Sequence, residues 1–182
     1  KLPGGELRTG YHLAFRWEDC ENVRTACGID LGPGYDTQWV DADEIVSGLW
    51  QGGAPPIGDQ VTDRGFQTLV LCAEEFQPPP TSYPGVKVLY CPFDDTDEPL
   101  SEETWAMIDK TATEVAVRVR MGQKVLVTCL AGINRSGLVN AVVVHKLTGV
   151  SGEEAVRIVQ AGRPRALHNE SFVADLEKIK AC

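Results

Sequence analysis

Short continuous apolar runs alternate with longer stretches of helical spacing over most of the chain. Continuous runs are typical of strands buried on both faces, and they predict strands at residues 66–72 and 125–127. Two further strands are predicted at residues 45–50 and, with partial alternation, at 86–93. A long helix is predicted to begin at Ser101 and end at Gly122, because one apolar stripe runs along it. The stripe consists of Trp105, Ile108, Ala112, Val115 and Val119.

Other helices are indicated by their capping patterns and apolar faces. A short helix is predicted at residues 59–64, and a mostly buried one at 138–147. Ser151 and Glu154 form a capping-box pattern that opens another helix, and Asn169 is a plausible cap for the last one. Strands that alternate with helices predict an α/β fold, with a central, mostly parallel sheet of four to five strands flanked by helices.

The first part of the chain has a different character. Residues 1–38 carry few apolar runs and many turn formers, so we predict an irregular N-terminal arm there and one folded domain at residues 39–182. Cys20 and Cys27 in the arm could form an i, i+7 helical pair or be two unrelated thiols.

Composition and charge exclude several classes of protein. The chain has 182 residues and a net charge of −9, which argues against an extended nucleic-acid or anionic-membrane interface. No apolar stretch is long enough to span a membrane. The six cysteines lack the spacing of a disulfide scaffold or a zinc site, so we expect a cytoplasmic protein without a metal or cofactor. The oligomeric state is left open.

One stretch combines several groups that together suggest chemistry. The predicted strand at 125–127 runs into a short loop that opens with Cys129 and closes with Arg135, just before the apolar helix. A helix N-terminus and a nearby arginine both favour the thiolate form of a cysteine, which is the nucleophilic form. Ser136 follows the arginine and could donate a hydrogen bond to the sulfur.

The five residues between the cysteine and the arginine are suited to binding a phosphate group. Their backbone N–H groups can turn inward as an anion nest, and Gly132 permits a conformation that other residues avoid. Arg135 can grip two phosphate oxygens with its planar guanidinium. The predicted phosphate-binding residues are therefore Leu130, Ala131, Gly132, Ile133, Asn134 and Arg135.

Residues 125–137 resemble the signature loop of cysteine-dependent protein tyrosine phosphatases, in particular the dual-specificity branch. The resemblance extends from about residue 45 to residue 179 and includes Leu49-Trp-Gln-Gly-Gly53, the acidic loop at 94–99 and Asn169 with Phe172. It implies a phosphotyrosine-phosphatase-like fold and makes residues 39–182 the catalytic domain. It also implies that Cys129 forms a phosphocysteine intermediate.

The resemblance implies further roles around the loop. The family uses an aspartate on a preceding loop as general acid and base, and the pattern favours Asp95, with Asp94 and Asp97 as alternatives. Asn169 would brace the signature loop, although a plain helix cap explains it equally well. The family usually has histidine where this chain has Thr128, so the tuning of the thiolate is expected to differ.

Less specific hypotheses concern Cys72 and the two arginines Arg163 and Arg165. Cys72 resembles a cysteine of the tensin-homologue lipid phosphatases that forms a reversible disulfide with the nucleophile, and a buried structural thiol is the alternative. Arg163 or Arg165 could bind a second substrate anion or be ordinary solvated charges.

The sequence therefore predicts a phosphatase for phosphorylated proteins. Its substrate would be phosphotyrosine, with phosphoserine and phosphothreonine left open. Phosphoinositide hydrolysis is disfavoured because residues 130–134 carry no lysine, and RNA 5′-phosphatase action is disfavoured because the chain lacks a basic stripe, although residues 132–135 resemble those enzymes. A non-catalytic protein that binds phosphorylated partners is the remaining alternative, and Thr128 is the feature in its favour.

Overall fold

The structure is a computed structural model that describes residues 40–182. Five strands form one sheet: β1 (Asp43–Val46), β2 (Leu49–Gly52), β3 (Thr68–Ala73), β4 (Lys87–Phe93) and β5 (Val125–Thr128). Their order is β1-β2-β5-β3-β4, and every neighbouring pair except β1 with β2 is parallel. The predicted α/β fold with a mostly parallel sheet of four to five strands is confirmed. Cys20 and Cys27 lie outside the described residues.

The prediction of a single strand at residues 45–50 is wrong. The structure divides this stretch into β1 and β2, which pair antiparallel across a tight turn. Gly48 makes the turn possible, because its φ of 82° lies in the left-handed region that side chains disfavour. The mostly apolar run of residues 45–50 hides this turn, since only Ser47 and Gly48 interrupt it.

Within residues 40–182, five α-helices accompany the sheet. They are α1 (Gln60–Asp63), α2 (Glu102–Arg120), α3 (Arg135–Thr148), α4 (Gly152–Gly162) and α5 (Glu170–Glu177). Ser101, Ser151 and Asn169 each cap a helix by accepting a backbone N–H on a side-chain oxygen, as the sequence predicts. Within residues 40–182, no helix is long and apolar enough to cross a membrane.

The core explains why β5 and α3 are so apolar. Every residue of β3 and β5 is buried, and so are the first ten residues of α3, which packs on the middle of the sheet between α2 and α4. The carboxyl ends of the four parallel strands therefore meet at one edge of the sheet, directly beside the N-terminus of α3. Ligands of open α/β sheets bind at this edge.

Candidate active site

The loops that leave the parallel strands bring the predicted residues together. Cys129 follows β5 directly, Asp95 follows β4 by two residues, and Glu75 follows β3 by two residues. The Gly52–Gly53 pair ends β2 and lies against the loop of residues 129–135, which we call the signature loop. Four separate segments thus surround one small volume.

Cys129 is buried at the bottom of this volume. Its residue is 4% exposed, and its backbone N–H donates to the carbonyl of Gly52 at 3.3 Å. The sulfur lies 3.3 Å from the hydroxyl oxygen of Ser136 in the first turn of α3. A hydroxyl in this position can donate to a thiolate, which is the contact expected from the sequence.

Three carbonyl groups of the signature loop, those of residues 130, 132 and 133, have donors behind the loop. The Leu130 carbonyl accepts from the N–H of Ala54 at 3.0 Å. The Gly132 carbonyl accepts from the side chains of Gln51 at 3.1 Å and Arg163 at 2.7 Å. The Ile133 carbonyl accepts from the Gln51 amide at 3.3 Å and from the N–H of Leu167 at 3.2 Å.

The N–H groups of the same loop have no such partners. Within residues 40–182, the amides of residues 130–134 donate to no protein acceptor. The first amides of α3 add to this row, since the Asn134 side chain does not cap the helix. Unpaired amides at a helix N-terminus form a ready-made site for an anion.

Arg135 is held by a partner that the sequence analysis did not identify. Its two terminal nitrogens, Nη1 and Nη2, each donate to one carboxylate oxygen of Glu75 at 2.5 Å. Nη1 also donates to the Phe93 carbonyl at 3.3 Å. The remaining nitrogen, Nε, is buried without a hydrogen-bond partner. The side edge of the guanidinium, formed by Nε and Nη2, is therefore open to a bidentate ligand.

The pKa of Glu75 reflects this arrangement. Burial alone would raise it, but the hydrogen bonds and the charge of Arg135 hold it below its ordinary value of 4.5. Glu75 is thus ionised at neutral pH and fixes the plane of the guanidinium. The residue could have been suspected from the sequence only as one of two adjacent acids after a buried strand.

Asp95 lies above the signature loop, held by two asparagine side chains. The Asn134 amide nitrogen lies 3.3 and 3.2 Å from its two carboxylate oxygens, and the Asn169 amide donates to it at 3.0 Å. Asn169 also donates to the Thr96 carbonyl at 2.8 Å. Asp94 instead accepts the N–H of Asp95 at 2.8 Å, and Asp97 is exposed.

Asn169 combines the two roles that the sequence left open. Its side-chain oxygen accepts the Phe172 N–H at 3.1 Å and so caps α5. Its backbone N–H donates to the Asn134 side chain at 3.0 Å, while its amide group reaches Asp95. The helix cap therefore also links the signature loop to the acidic loop.

Thr128 and Cys72 lie beneath the loop rather than in it. The Thr128 hydroxyl is buried and donates to the Val70 carbonyl at 2.9 Å, so it is turned into the sheet. Cys72 is fully buried in β3, and Cys91 of the neighbouring strand β4 is buried as well. Burial raises the pKa of the Cys72 thiol well above its ordinary value.

The expectation that Arg163 is a solvated or substrate-binding charge is wrong. Its side chain is 1% exposed and pairs with Asp41 and Asp43, while it donates to the Gly132 carbonyl. Arg165 is 62% exposed and lies 3.5 Å from Asp41. Its partners Asp41, Asp43 and Gly132 are distant in sequence, which is why its burial leaves no local pattern.

Comparisons with known proteins decide the family. The dual specificity phosphatase catalytic domain family matches residues 49–182. The chain belongs to this family. Human dual specificity phosphatase 28 is 31% identical over 136 residues, which cover 74% of this chain and 74% of the relative. A probable dual specificity protein phosphatase of Dictyostelium discoideum is 31% identical over 140 residues, which cover 76% of this chain and 34% of the relative.

Solved structures of dual specificity phosphatases share the fold. The crystal structure of human DUSP28 superposes with a TM-score of 0.64 at 27% identity and covers 75% of this chain and 90% of that chain. A mouse putative dual specificity phosphatase complexed with zinc tungstate gives a TM-score of 0.66 at 26% identity, with 82% and 91% covered. The predicted resemblance and the predicted class of cysteine-dependent phosphatases are thereby confirmed.

Proposed function

We propose that this chain hydrolyses phosphotyrosine monoesters in proteins through a phosphocysteine intermediate on Cys129. Phosphoserine and phosphothreonine are further substrates to be tested. The observation that carries the proposal is the unpaired set of donors around the sulfur. Five loop amides and the buried Nε of Arg135 all lack acceptors within residues 40–182, and a bound phosphate would supply them.

The first chemical step transfers the phosphoryl group to sulfur. The Cys129 thiolate attacks phosphorus while the bond from phosphorus to the leaving oxygen breaks. The equatorial oxygens are held by the loop amides and by the open side edge of Arg135, where their charge is stabilised. Glu75 contributes by keeping the guanidinium plane fixed before the substrate arrives.

Asp95 supplies the proton for the leaving oxygen. The side-chain amides of Asn134 and Asn169, at 3.3 and 3.0 Å, hold its carboxylate beside the signature loop, which supports this role. In the second step Asp95 takes a proton from the water that attacks the phosphocysteine. General acid–base catalysis of this kind contributes on the order of 10²- to 10⁴-fold to a rate.

Ser136 assists the departure of the sulfur in the second step. As the bond between sulfur and phosphorus breaks, negative charge returns to the sulfur, 3.3 Å from the Ser136 hydroxyl. A hydrogen bond from that hydroxyl stabilises the thiolate that leaves. Inorganic phosphate is then released, and the free thiolate is ready for the next substrate.

The signature loop favours phosphorylated proteins over phosphoinositides that carry several phosphate groups. Residues 130–134 carry no charged side chain, so no cation in the loop is available to neutralise additional phosphate groups. The Leu130 side chain is 43% exposed at the start of the loop and offers an apolar contact. The mouse structural neighbour is a complex with zinc tungstate, and tungstate is a tetrahedral dianion like phosphate.

Hydrolysis of para-nitrophenyl phosphate between pH 5 and 7 tests the proposal. Wild type should turn over in the presence of a chelator, and Cys129→Ser should abolish turnover while retaining phosphopeptide binding. Cys182→Ser, at an exposed cysteine, is the matched control and should keep full activity. Acid quenching followed by mass spectrometry should find phosphate on the peptide that contains Cys129.

A panel of substrates separates the alternatives. Phosphotyrosine, phosphoserine and phosphothreonine peptides should be compared with phosphoinositides and with RNA that carries 5′ phosphates. Faster hydrolysis of the lipid or the RNA would replace the proposed substrate class. Tight phosphopeptide binding without turnover at any pH would make the chain a non-catalytic phosphoprotein binder.

A further inference from the structure

Arg163 makes the most extensive polar contacts of the buried side chains near the signature loop. Its Nε donates to the Gly132 carbonyl at 2.7 Å. Its Nη1 donates to Asp41 at 3.0 Å and to Asp43 at 2.7 Å, and its Nη2 donates to Asp41 at 2.6 Å. The side chain is 1% exposed, so this arginine belongs to the interior, where an unpaired charge is costly.

The segment of residues 41–43, which we call the strap, lies against the Gly52–Gly53 pair. The Gly53 N–H donates to the Asp41 carboxylate at 3.0 Å. A Cβ atom on Gly52 would lie 1.8 Å from the Asp41 carbonyl oxygen, so no larger residue fits there. The strap and the glycine pair are therefore in direct backbone contact.

The signature loop rests on the other side of the same glycine pair. A Cβ atom on Gly132 would lie 2.5 Å from the Gly52 carbonyl carbon, 2.6 Å from the Gly53 nitrogen and 2.7 Å from Nη2 of Arg163. Strap, glycine pair and signature loop are thus three stacked layers without room for a methyl group. Arg163 contacts both outer layers, since it holds Asp41 and Gly132 at once.

The contact to Gly132 has a consequence for the phosphate site. In a trans peptide group the C=O and the following N–H point in opposite directions. When Arg163 fixes the Gly132 carbonyl toward the supporting layers, the N–H of Ile133 is turned away from them. The Gln51 and Ala54 contacts act in the same way on the neighbouring peptide groups.

We propose that Arg163, fixed by Asp41 and Asp43 of the strap, is a positioning residue that orients the signature-loop amides toward the bound phosphate. The inference rests on the proposed function, because it concerns the same phosphate site. It assigns a role to the strap, which precedes the region matched by the family. It also differs from binding of a substrate anion by Arg163, since that side chain is buried and already paired with two carboxylates.

The charges around Arg163 agree with a fixed assembly. Burial alone would raise the pKa of Asp41, but the hydrogen bonds and charge of Arg163 and the Gly53 N–H hold it below its ordinary value. Asp41 is therefore ionised at the pH at which such enzymes are assayed. Asp43 provides the second carboxylate at 2.7 Å.

The test compares Arg163→Lys, Asp41→Asn and Asp43→Asn with wild type. Lysine keeps the charge but loses the planar fork that reaches the strap and the loop together. Arg157→Lys is the matched control, because Arg157 also bridges two carboxylates, Glu153 and Glu154, but is 61% exposed. The measurements are kcat and KM for para-nitrophenyl phosphate, the inhibition constant of vanadate, and the rate of Cys129 alkylation by iodoacetamide.

Arg163→Lys should weaken vanadate binding and lower kcat/KM by about 10- to 100-fold, the effect of losing a hydrogen bond to a charged group. Asp41→Asn should cause smaller losses of vanadate binding and of kcat/KM than Arg163→Lys does. Asp43→Asn should cause the smallest losses of the three. Alkylation of Cys129, measured well below the melting temperature, should change little, because the thiol itself is not displaced. Arg157→Lys should match wild type in all three.

The outcomes separate this inference from the proposed function. Wild type that neither turns over nor binds vanadate would remove the proposed function. Active wild type with folded Arg163→Lys and Asp41→Asn variants that bind vanadate within about twofold would overturn only the positioning role. Equal losses of vanadate binding, alkylation and melting temperature would also overturn it, in favour of a purely structural role. If Arg163→Lys does not fold, the two aspartate variants decide.

Discussion

The ion pair between Glu75 and Arg135 can be tested by the single substitution Glu75→Gln. The two side chains are 18% and 6% exposed and share two hydrogen bonds of 2.5 Å. Glutamine keeps one acceptor oxygen but turns an N–H₂ group toward the other guanidinium nitrogen, which is also a donor. One charge-assisted hydrogen bond is lost outright, and the guanidinium is no longer held in one plane.

The expected magnitude follows from that loss. A hydrogen bond to a charged group contributes about 1.5–3 kcal/mol, and the partial exposure of Glu75 favours the lower part of this range. A loss of about 2 kcal/mol in transition-state binding corresponds to a roughly 30-fold lower kcat/KM. Vanadate should bind more weakly by a similar factor, since it uses the same edge of Arg135.

The same pair should make stability depend on pH. The folded-state pKa of Glu75 lies below its ordinary value of 4.5, so its contribution to stability is present above that value. It is lost as the pH falls through the lowered folded-state pKa, because the carboxylate is then protonated in both states. The difference in unfolding free energy between wild type and Glu75→Gln should therefore be constant near neutral pH and shrink below about pH 4.5.

Glu74→Gln is the matched control, because Glu74 is the exposed neighbour in the same loop. Steady-state kinetics with para-nitrophenyl phosphate and urea unfolding at several pH values supply the measurements. The control should match wild type in both. The reasoning is refuted if Glu75→Gln retains kcat/KM within about threefold of wild type, or if the stability difference grows as the pH falls.

Three further substitutions and one oxidation experiment test other parts of the site. Asp95→Asn should lower kcat for para-nitrophenyl phosphate by on the order of 10²-fold or more; an unchanged kcat would point to another acid. Ser136→Ala should slow the second step, so that a burst of para-nitrophenol appears in rapid mixing, and single-phase kinetics would contradict this role. Gly132→Ala should abolish activity through its backbone clashes, whereas Gly122→Ala, with a similar φ of 81° and open space, should cost only about 1 kcal/mol of stability. Peroxide should join Cys129 to Cys72 in a disulfide detectable by mass spectrometry, and its absence in wild type would leave Cys72 as a buried structural thiol.

The parts of the fold visible in the sequence are those specified by neighbouring residues. β3 and β5 are continuous apolar runs buried on both faces, and the long helix α2 shows its stripe and its serine cap. The hairpin between β1 and β2 was not visible, because its turn depends on one glycine within an apolar run. The spacing of apolar residues identifies a helix or a strand well, but it locates a tight turn poorly.

The same distinction separates the predicted from the missed site residues. Cys129 and Arg135 share one loop, so their spacing alone suggested that they act together. Glu75 and Arg163 contact that loop from segments 60 and 31 residues away along the chain. Their chemical types are common at the surface, and only the tertiary structure shows that both are ordered by contacts with the loop.

The ion pairs of Arg135 and Arg163 bear on how a site in an acidic chain could bind a dianion. Arg135 is matched by Glu75, and Arg163 by two aspartates, so neither arginine adds a free positive charge. Under the proposed function, the affinity for phosphate then comes largely from the dipoles of oriented amides and from the Nε edge of Arg135. The direction of those amides depends on glycines that allow close backbone contact and on one buried arginine. In that case phosphate binding rests on the packing beneath the loop as much as on the residues that would touch the phosphate.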